Sequence, residues 1–201
     1  MKKITTIIFD WAGVFCNPGE PFFHPEITKQ TGLSVDEMGE KSQDIQKPYY
    51  RGEMSKEQFW NKIIEFFKLK NLTPTKLGEA YTSSYKIWPE MLELAKKLKK
   101  NYKTAVLSNL TEEMMEHILN NHNLKKIFPR MFFSNEIGIM KPNTTAYELA
   151  LKELGSKPEE TIFIDDSKKN VEAARNLGMY AFLFESLDQC KSELQKLGVN
   201  V

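Results

Sequence analysis

At 201 residues, 41% of them hydrophobic and 27% charged, the chain suits one ordinary soluble domain, or a core domain with an insertion, and is long enough to bury a real core. Its 28 Lys and Arg against 27 Asp and Glu leave a net charge of +1, so no overall field draws it to nucleic acid or an anionic membrane. The two cysteines, Cys16 and Cys190, lie too far apart for a disulfide framework or the close pairing of a zinc site, which points to a reducing, cytoplasmic compartment.

In chain order, the first element is the short, β-branched, almost continuously apolar run Ile4 to Phe9, the pattern of a central strand covered on both faces. Asp10 interrupts that run far short of the roughly 20 apolar residues a membrane span needs. From Cys16 to about Lys86 the patterns are helical, as in "SKEQFWNKIIEFFKL", and no good strand occurs. From Met91 onward strand and helix alternate: "TAVLS", "TEEMMEHILNNH" capped by Thr111, "MFFS", "PNTTAYELALKELG" ended by Gly155, "TIFID", "SKKNVEAARNLG" between Ser167 and Gly178, and "YAFLF". This order predicts an α/β fold, a Rossmann-like doubly wound parallel sheet with a helical cap inserted after the first strand. Residues 1–15 and 87–201 form the core in this reading and residues 16–86 the cap.

In such sheets reactive groups gather at the carboxyl ends of the strands, where an insertion leaving from the same edge acts as a lid. The first strand ends in Asp10, the second in Ser108 and Asn109, and the fourth in Asp165 and Asp166, while Lys141 lies in the turn "GIMKPN" before a helix. Each alone reads as a cap or turn residue; together they bring three carboxylates, a hydroxyl and an ammonium to one sheet edge. Carboxylates about 4 Å apart repel by several kcal/mol even at an effective dielectric of roughly 20, so the cluster calls for a cation. Oxygen-only ligands with room for water and substrate oxygens suit Mg²⁺ better than zinc.

Outside the insertion, this constellation resembles the haloacid dehalogenase (HAD) superfamily. "FDWAGV" is similar to its first motif, "LSN" to its second, the lysine of "GIMKPN" to its third and "FIDDSKKNVEAARNLGM" to its fourth. Within it, the chain looks most like the branch of sugar-phosphate phosphatases and the N-terminal phosphatase domain of soluble epoxide hydrolases, whose cap helices "RGEMSKEQFW" also resembles. The resemblance implies a hydrolase of a phosphorylated small molecule, with Asp10 as the nucleophile that becomes an aspartyl phosphate. It implies Mg²⁺ held by Asp10, the backbone carbonyl of Ala12 and Asp166, with Asp165 acting through water. Ser108 and the Asn109 amide are implied to hold phosphoryl oxygens and Lys141 to neutralise charge. No nucleic-acid or membrane partner is expected, and no partner protein is identifiable.

Ala12 departs from the family's phosphatases, which have a second Asp there to protonate the leaving oxygen and activate water. General acid/base assistance is worth about 10² to 10⁴ in rate, so the substitution predicts weakened catalysis unless another group takes over. Three readings follow: a phosphatase with a substitute or substrate-supplied acid; a phosphonoacetaldehyde-type hydrolase, whose first motif "DWAG" resembles and which uses a cap lysine, here among Lys41, Lys47 and Lys56; and a catalytically feeble module that binds phosphate ligands or a protein. Dehalogenation is disfavoured by the metal-type pair Asp165 and Asp166. His24 is a candidate substitute acid, and Tyr49, Tyr50 and Arg51 are candidates for reading a substrate. Trp11 and the aromatic pairs Phe22 and Phe23, Phe59 and Trp60, and Phe66 and Phe67 read as packing residues.

Overall fold

The structure is a computed structural model that describes residues 3–17 and 25–201; Phe22, Phe23 and His24 lie outside the described residues. Its sheet is wholly parallel, in the order β3-β2-β1-β4-β5, built from β1 (Thr6–Phe9), β2 (Lys103–Ser108), β3 (Arg130–Phe133), β4 (Thr161–Asp165) and β5 (Tyr180–Leu183). Because the chain adds β2 and β3 on one side of β1 and β4 and β5 on the other, the order of strands reverses beside β1, the place where such sheets open a crevice. The doubly wound fold expected from the strand and helix rhythm is therefore present.

Among the described residues, the helices between β1 and β2 are α1 (Pro25–Thr31), α2 (Val35–Lys41), α3 (Gln43–Tyr50), α4 (Lys56–Phe66), α5 (Pro74–Ser83) and α6 (Pro89–Leu98). The remaining helices are α7 (Glu112–Asn121), the single turn α8 (Ser134–Ile137), α9 (Thr144–Leu154), α10 (Lys168–Asn176) and α11 (Leu187–Lys196). Local chemistry explains their starts. Ser34 and Ser55 each close a capping box with the third helical residue, Glu37 and Gln58, while Thr73 and Thr111 cap α5 and α7.

Strand residues alternate between two cores, as a sheet buried on both faces requires. Ile7, Phe9, Val106, Ile162 and Ile164 face one cluster, which includes Phe15, Phe128 and the buried residues of the helical segment; Ile8, Ala105, Leu107 and Phe163 face the other, beneath α9 and α10. Trp11, fully buried, stacks on Phe15 with ring centroids 5.2 Å apart, which is the packing role its position suggested. Phe59 and Trp60 are likewise core, but Phe66 is 50% exposed and so departs from the packing expectation. Phe66 ends α4, where its ring meets the edge of Phe67. Among the described residues no helix is long and apolar enough to cross a membrane.

Candidate active site

The parallel register Phe9↔Ile164 places the residues just past β1 and β4 side by side, and the Asp10 amide donates to the Ile164 carbonyl at 2.8 Å. The sheet thereby brings Asp10, Asp165 and Asp166 together, with one carboxylate oxygen from each lying within 4.8 Å of the others. Asp10 and Asp165 are buried and Asp166 is exposed. The donors are all oxygen, two of them shielded and one open, an arrangement suited to a hard cation that keeps water ligands.

Lys141 reaches the same point from the turn between α8 and α9. Its ammonium lies 2.9 Å from Asp10 Oδ1 and 2.6 Å from Asp165 Oδ2, with a side chain only 1% exposed. The Phe163 ring centroid is 5.3 Å from the same nitrogen, a cation–π contact that steadies the charge. The lysine backbone is clamped as well: Lys141 N–H donates to Asn109 Oδ1 at 2.8 Å, and Asn109 Nδ2 donates to the Lys141 carbonyl at 2.9 Å. Asn109 thus spends its side chain on positioning Lys141.

Asp165 is the most heavily anchored carboxylate of the three. Its Oδ1 accepts from the Ser167 amide at 2.8 Å, and Asn170 Nδ2 donates to Oδ1 and Oδ2 at 3.0 and 3.1 Å. Asn170 is itself held through its carbonyl, which accepts from the Tyr147 hydroxyl at 3.0 Å. Ser108, at the end of β2, is 1% exposed and faces Asp10, yet its Oγ completes no hydrogen bond of good geometry. A buried hydroxyl without a well-formed bond is an exception among buried polar groups.

Electrostatics follow from burial. Desolvation pushes the Asp10 carboxyl up to about 7, the Lys141 ammonium pulls the other way, and the Asp165 charge adds to the rise. At Lys141 desolvation disfavours the charge, but Asp10 and Asp165 outweigh it and hold the ammonium above its ordinary value. Lys141 is therefore a fixed cation.

Asp10 is followed by a tight turn in which Val14 and Phe15 amides donate to the Trp11 carbonyl at 3.2 and 2.8 Å, and Gly13 N–H donates to the Cys16 carbonyl at 2.9 Å. Gly13 has φ +77°, and any side chain there would collide with the Asp166 carboxylate. Ala12 sits half-buried in this turn, its methyl group against the core.

Of the residues read as candidates for contacting substrate, Tyr49 is buried, stacked on Phe59 at 4.3 Å between ring centroids, and donates to Glu113 at 3.3 Å. Arg51 forms an exposed bidentate pair with Glu53, at 2.6 and 2.9 Å. Tyr50 is half-buried, with the Tyr81 hydroxyl beside it. Asn170, Tyr147 and Gly13 were not singled out by sequence. Asn170 carries a signal in retrospect, since it stands one helical turn after the Asp165–Asp166 pair, whereas Tyr147 reaches the site only through the packing of α9 on α10.

Comparison with known proteins bears on this geometry. The profile of haloacid dehalogenase-like hydrolases matches residues 4–178. Among curated relatives, a phosphoglycolate phosphatase from Aquifex aeolicus is 28% identical over 159 residues, which is 79% of this chain and 67% of that protein. Drimenol cyclase from Aspergillus calidoustus is 22% identical over 89% of this chain but only 35% of its own length, so the chain spans about a third of that relative. A HAD family enzyme from Bacteroides thetaiotaomicron, solved in complex with magnesium and inorganic phosphate, superimposes with a TM-score of 0.75 at 21% identity, covering 93% of this chain and 98% of that one. With the profile running from just before β1 to just past α10, the chain belongs to the haloacid dehalogenase-like hydrolases.

Proposed function

We propose that this chain is a phosphatase of phosphorylated small molecules that works through an aspartyl phosphate on Asp10 and uses Mg²⁺. One observation supports the reading: Lys141 is fixed between Asp10 and Asp165 while the buried Ser108 hydroxyl faces Asp10 without a well-aligned hydrogen bond among the described residues. A cation at one end and an unclaimed donor at the other are what a phosphoryl group requires on either side of an attacking carboxylate.

The donor set fits Mg²⁺. Asp10, Asp166 and the Ala12 carbonyl would hold it, with Asp165 assisting through water, and the ion would supply charge neutralisation that favours ionised Asp10 and draws electron density from the phosphoryl oxygens. The protein groups do the rest. Asp10 attacks phosphorus; Ser108 and the Asn109 amide hold phosphoryl oxygens; Lys141 balances charge on the nucleophile and the transferring group. Asn170 and the Ser167 amide keep Asp165 from swinging out of place. Residues 16–86 serve as the cap and set the leaving group. The free thiols of Cys16 and Cys190, both buried, fit a cytoplasmic setting.

The Schiff-base reading has less support. An imine-forming lysine needs a depressed pKa and shelter, whereas Lys41, Lys47 and Lys56 are all exposed and Lys56 is held above its ordinary value by Glu116, 3.1 Å away.

The test is turnover of a panel of phosphate esters with Mg²⁺, beside Asp10→Asn. Hydrolysis that Asp10→Asn abolishes supports the reading; no hydrolysis on any ester favours the binding-module alternative.

A further inference from the structure

The acidic cluster lies at the carboxyl edge of the sheet, and the opposite, amino edge carries a charge pattern of its own. Between Glu93 and Glu112 the chain holds Lys96, Lys97, Lys99, Lys100 and Lys103 and no acidic residue; between Glu116 and Glu136 it holds Lys125, Lys126 and Arg130, again with none. The net charge of the whole chain is only +1, so these cations are balanced elsewhere in the molecule and not beside themselves. The fold makes the two stretches neighbours. Strands β2 and β3 pair with Ala105 opposite Arg130, and the Lys99 ammonium donates to the Lys126 carbonyl. All of these basic residues are exposed, and among the described residues Lys96 alone of them has a carboxylate partner, Glu93 at 2.6 Å.

A groove of about 640 Å³ opens into this face, within the size range of ligand clefts. Its floor is apolar, with Ile4 buried and Tyr102 and Leu154 half-buried. Its rim is basic: Lys3, Lys99, Lys103 and Arg130 are exposed there, against the single acidic residue Glu153. Lys103 Nζ donates to the Leu154 and Gly155 carbonyls at 2.8 and 3.2 Å, which closes the carboxyl end of α9. That task accounts for the place of Lys103 and leaves its charge without a carboxylate. Lys3 and Arg130 have no such task, since neither side chain makes a hydrogen bond or ion pair among the described residues.

An apolar floor inside a basic rim selects its occupant. A compact anion needs two or three cations and gains nothing from Tyr102 or Leu154. A membrane surface is flat and takes up apolar side chains that project outward, whereas here they line the bottom of a groove. A single nucleic-acid strand is held by successive aromatic faces, and Tyr102, whose hydroxyl accepts from the Asn200 amide at 3.1 Å, is the one aromatic residue of the lining. An extended peptide with carboxylates on either side of an apolar residue matches both parts, the side chain on the floor and the charges against the rim and the lysines beyond it.

We propose that the amino edge of the sheet is a docking surface for an acidic segment of a partner protein, with an apolar side chain seated over Tyr102 and Leu154 and carboxylates facing Lys3, Lys99, Lys103 and Arg130. The surface lies at the edge opposite the acidic cluster, so the proposal stands apart from the phosphatase reading.

The experiment is fluorescence anisotropy with two labelled peptides of Asp and Glu, one with a central Leu-Phe and one with Gly-Ser in its place. The Leu-Phe peptide is expected to bind at least about tenfold more tightly than the Gly-Ser peptide, and to weaken at least about fivefold between about 50 and about 300 mM salt. Lys3→Glu combined with Arg130→Glu is expected to lower its affinity at least about tenfold, whereas Lys62→Glu with Lys70→Glu, the same charge change on the helical segment, lowers it less than about twofold. No binding of the Leu-Phe peptide at the lower salt, equal affinity for the two peptides, or equal losses in the two double variants overturns the proposal. So does tighter binding of oligothymidylate or phosphatidylserine vesicles that Lys3→Glu with Arg130→Glu removes, which reassigns the face to nucleic acid or to a membrane.

Discussion

Gly13 and Asp166 lie against each other at the open side of the site, with Gly13 at φ +77° and no room for a side chain before the Asp166 carboxylate. The turn after β1 and the turn after β4 are thus fitted together through a missing Cβ. Two independent demands meet at Gly13: a left-handed backbone, which costs other residues about 1–2 kcal/mol, and close approach to a carboxylate of the acidic cluster.

Gly13→Ala is therefore expected to reduce stability by about 1–2 kcal/mol and to weaken Mg²⁺ binding as well, because Asp166 must move away. Titration calorimetry with Mg²⁺ and urea unfolding without it separate the two effects. Unchanged Mg²⁺ affinity would show that Asp166 can shift without consequence for the cluster.

Mg²⁺ itself is expected to stabilise the fold, since three carboxylates within 4.8 Å of one another repel without it. At a concentration of about 100 times Kd the gain by mass action is about 2.7 kcal/mol, read as a rise in Tm. Asp166→Ala is expected to abolish most of this rise. A Tm indifferent to Mg²⁺ in the wild type would remove the metal from the proposed chemistry.

Lys141 is 1% exposed at its side chain and pairs with two buried carboxylates, so removing it strands both. Breaking a buried ion pair typically costs about 3–5 kcal/mol, and Lys141→Ala is expected to fall in that range by denaturant unfolding at neutral pH. The variant should also lose affinity for phosphate mimics. A loss below about 1 kcal/mol would mean that water replaces the ammonium easily.

Glu113, at the start of α7, gives a pH-dependent test away from the acidic cluster. Its Oε2 accepts from Trp60 Nε1 at 3.0 Å and from the Tyr49 hydroxyl at 3.3 Å, tying α7 to α3 and α4. Burial raises its carboxyl above the ordinary 4.5, against those two hydrogen bonds and Lys56. The folded state therefore binds this proton more tightly than the unfolded chain does, so the stability linked to it is full below 4.5 and is lost as pH rises through the raised folded value. Glu113→Gln keeps an acceptor for Trp60 and Tyr49 without the charge. Relative to wild type, the variant should gain stability as pH rises from about 5 to about 7, measured by urea unfolding. Parallel stability curves would show that Glu113 titrates alike in both states.

The sequence by itself determined the architecture and the residue types at the strand ends. Continuous β-branched runs mark strands buried on both faces, Ser and Thr before periodic apolar patterns mark helix starts, and their alternation leaves a doubly wound sheet as the arrangement that buries both kinds of pattern. Asp10, Ser108, Asp165 and Asp166 were legible because a parallel sheet brings strand ends to one edge whatever the loops between them do. The helical segment was legible as helices but not in its contacts: the stacking of Tyr49 on Phe59 and the pairing of Arg51 with Glu53 are not written in the periodicity. Only the tertiary structure decided that Lys141 stands between two carboxylates and that Asn109 clamps the lysine backbone. Those relations join residues 24 or more positions apart, and their geometry depends on register, loop path and burial, which periodicity in a single chain does not encode.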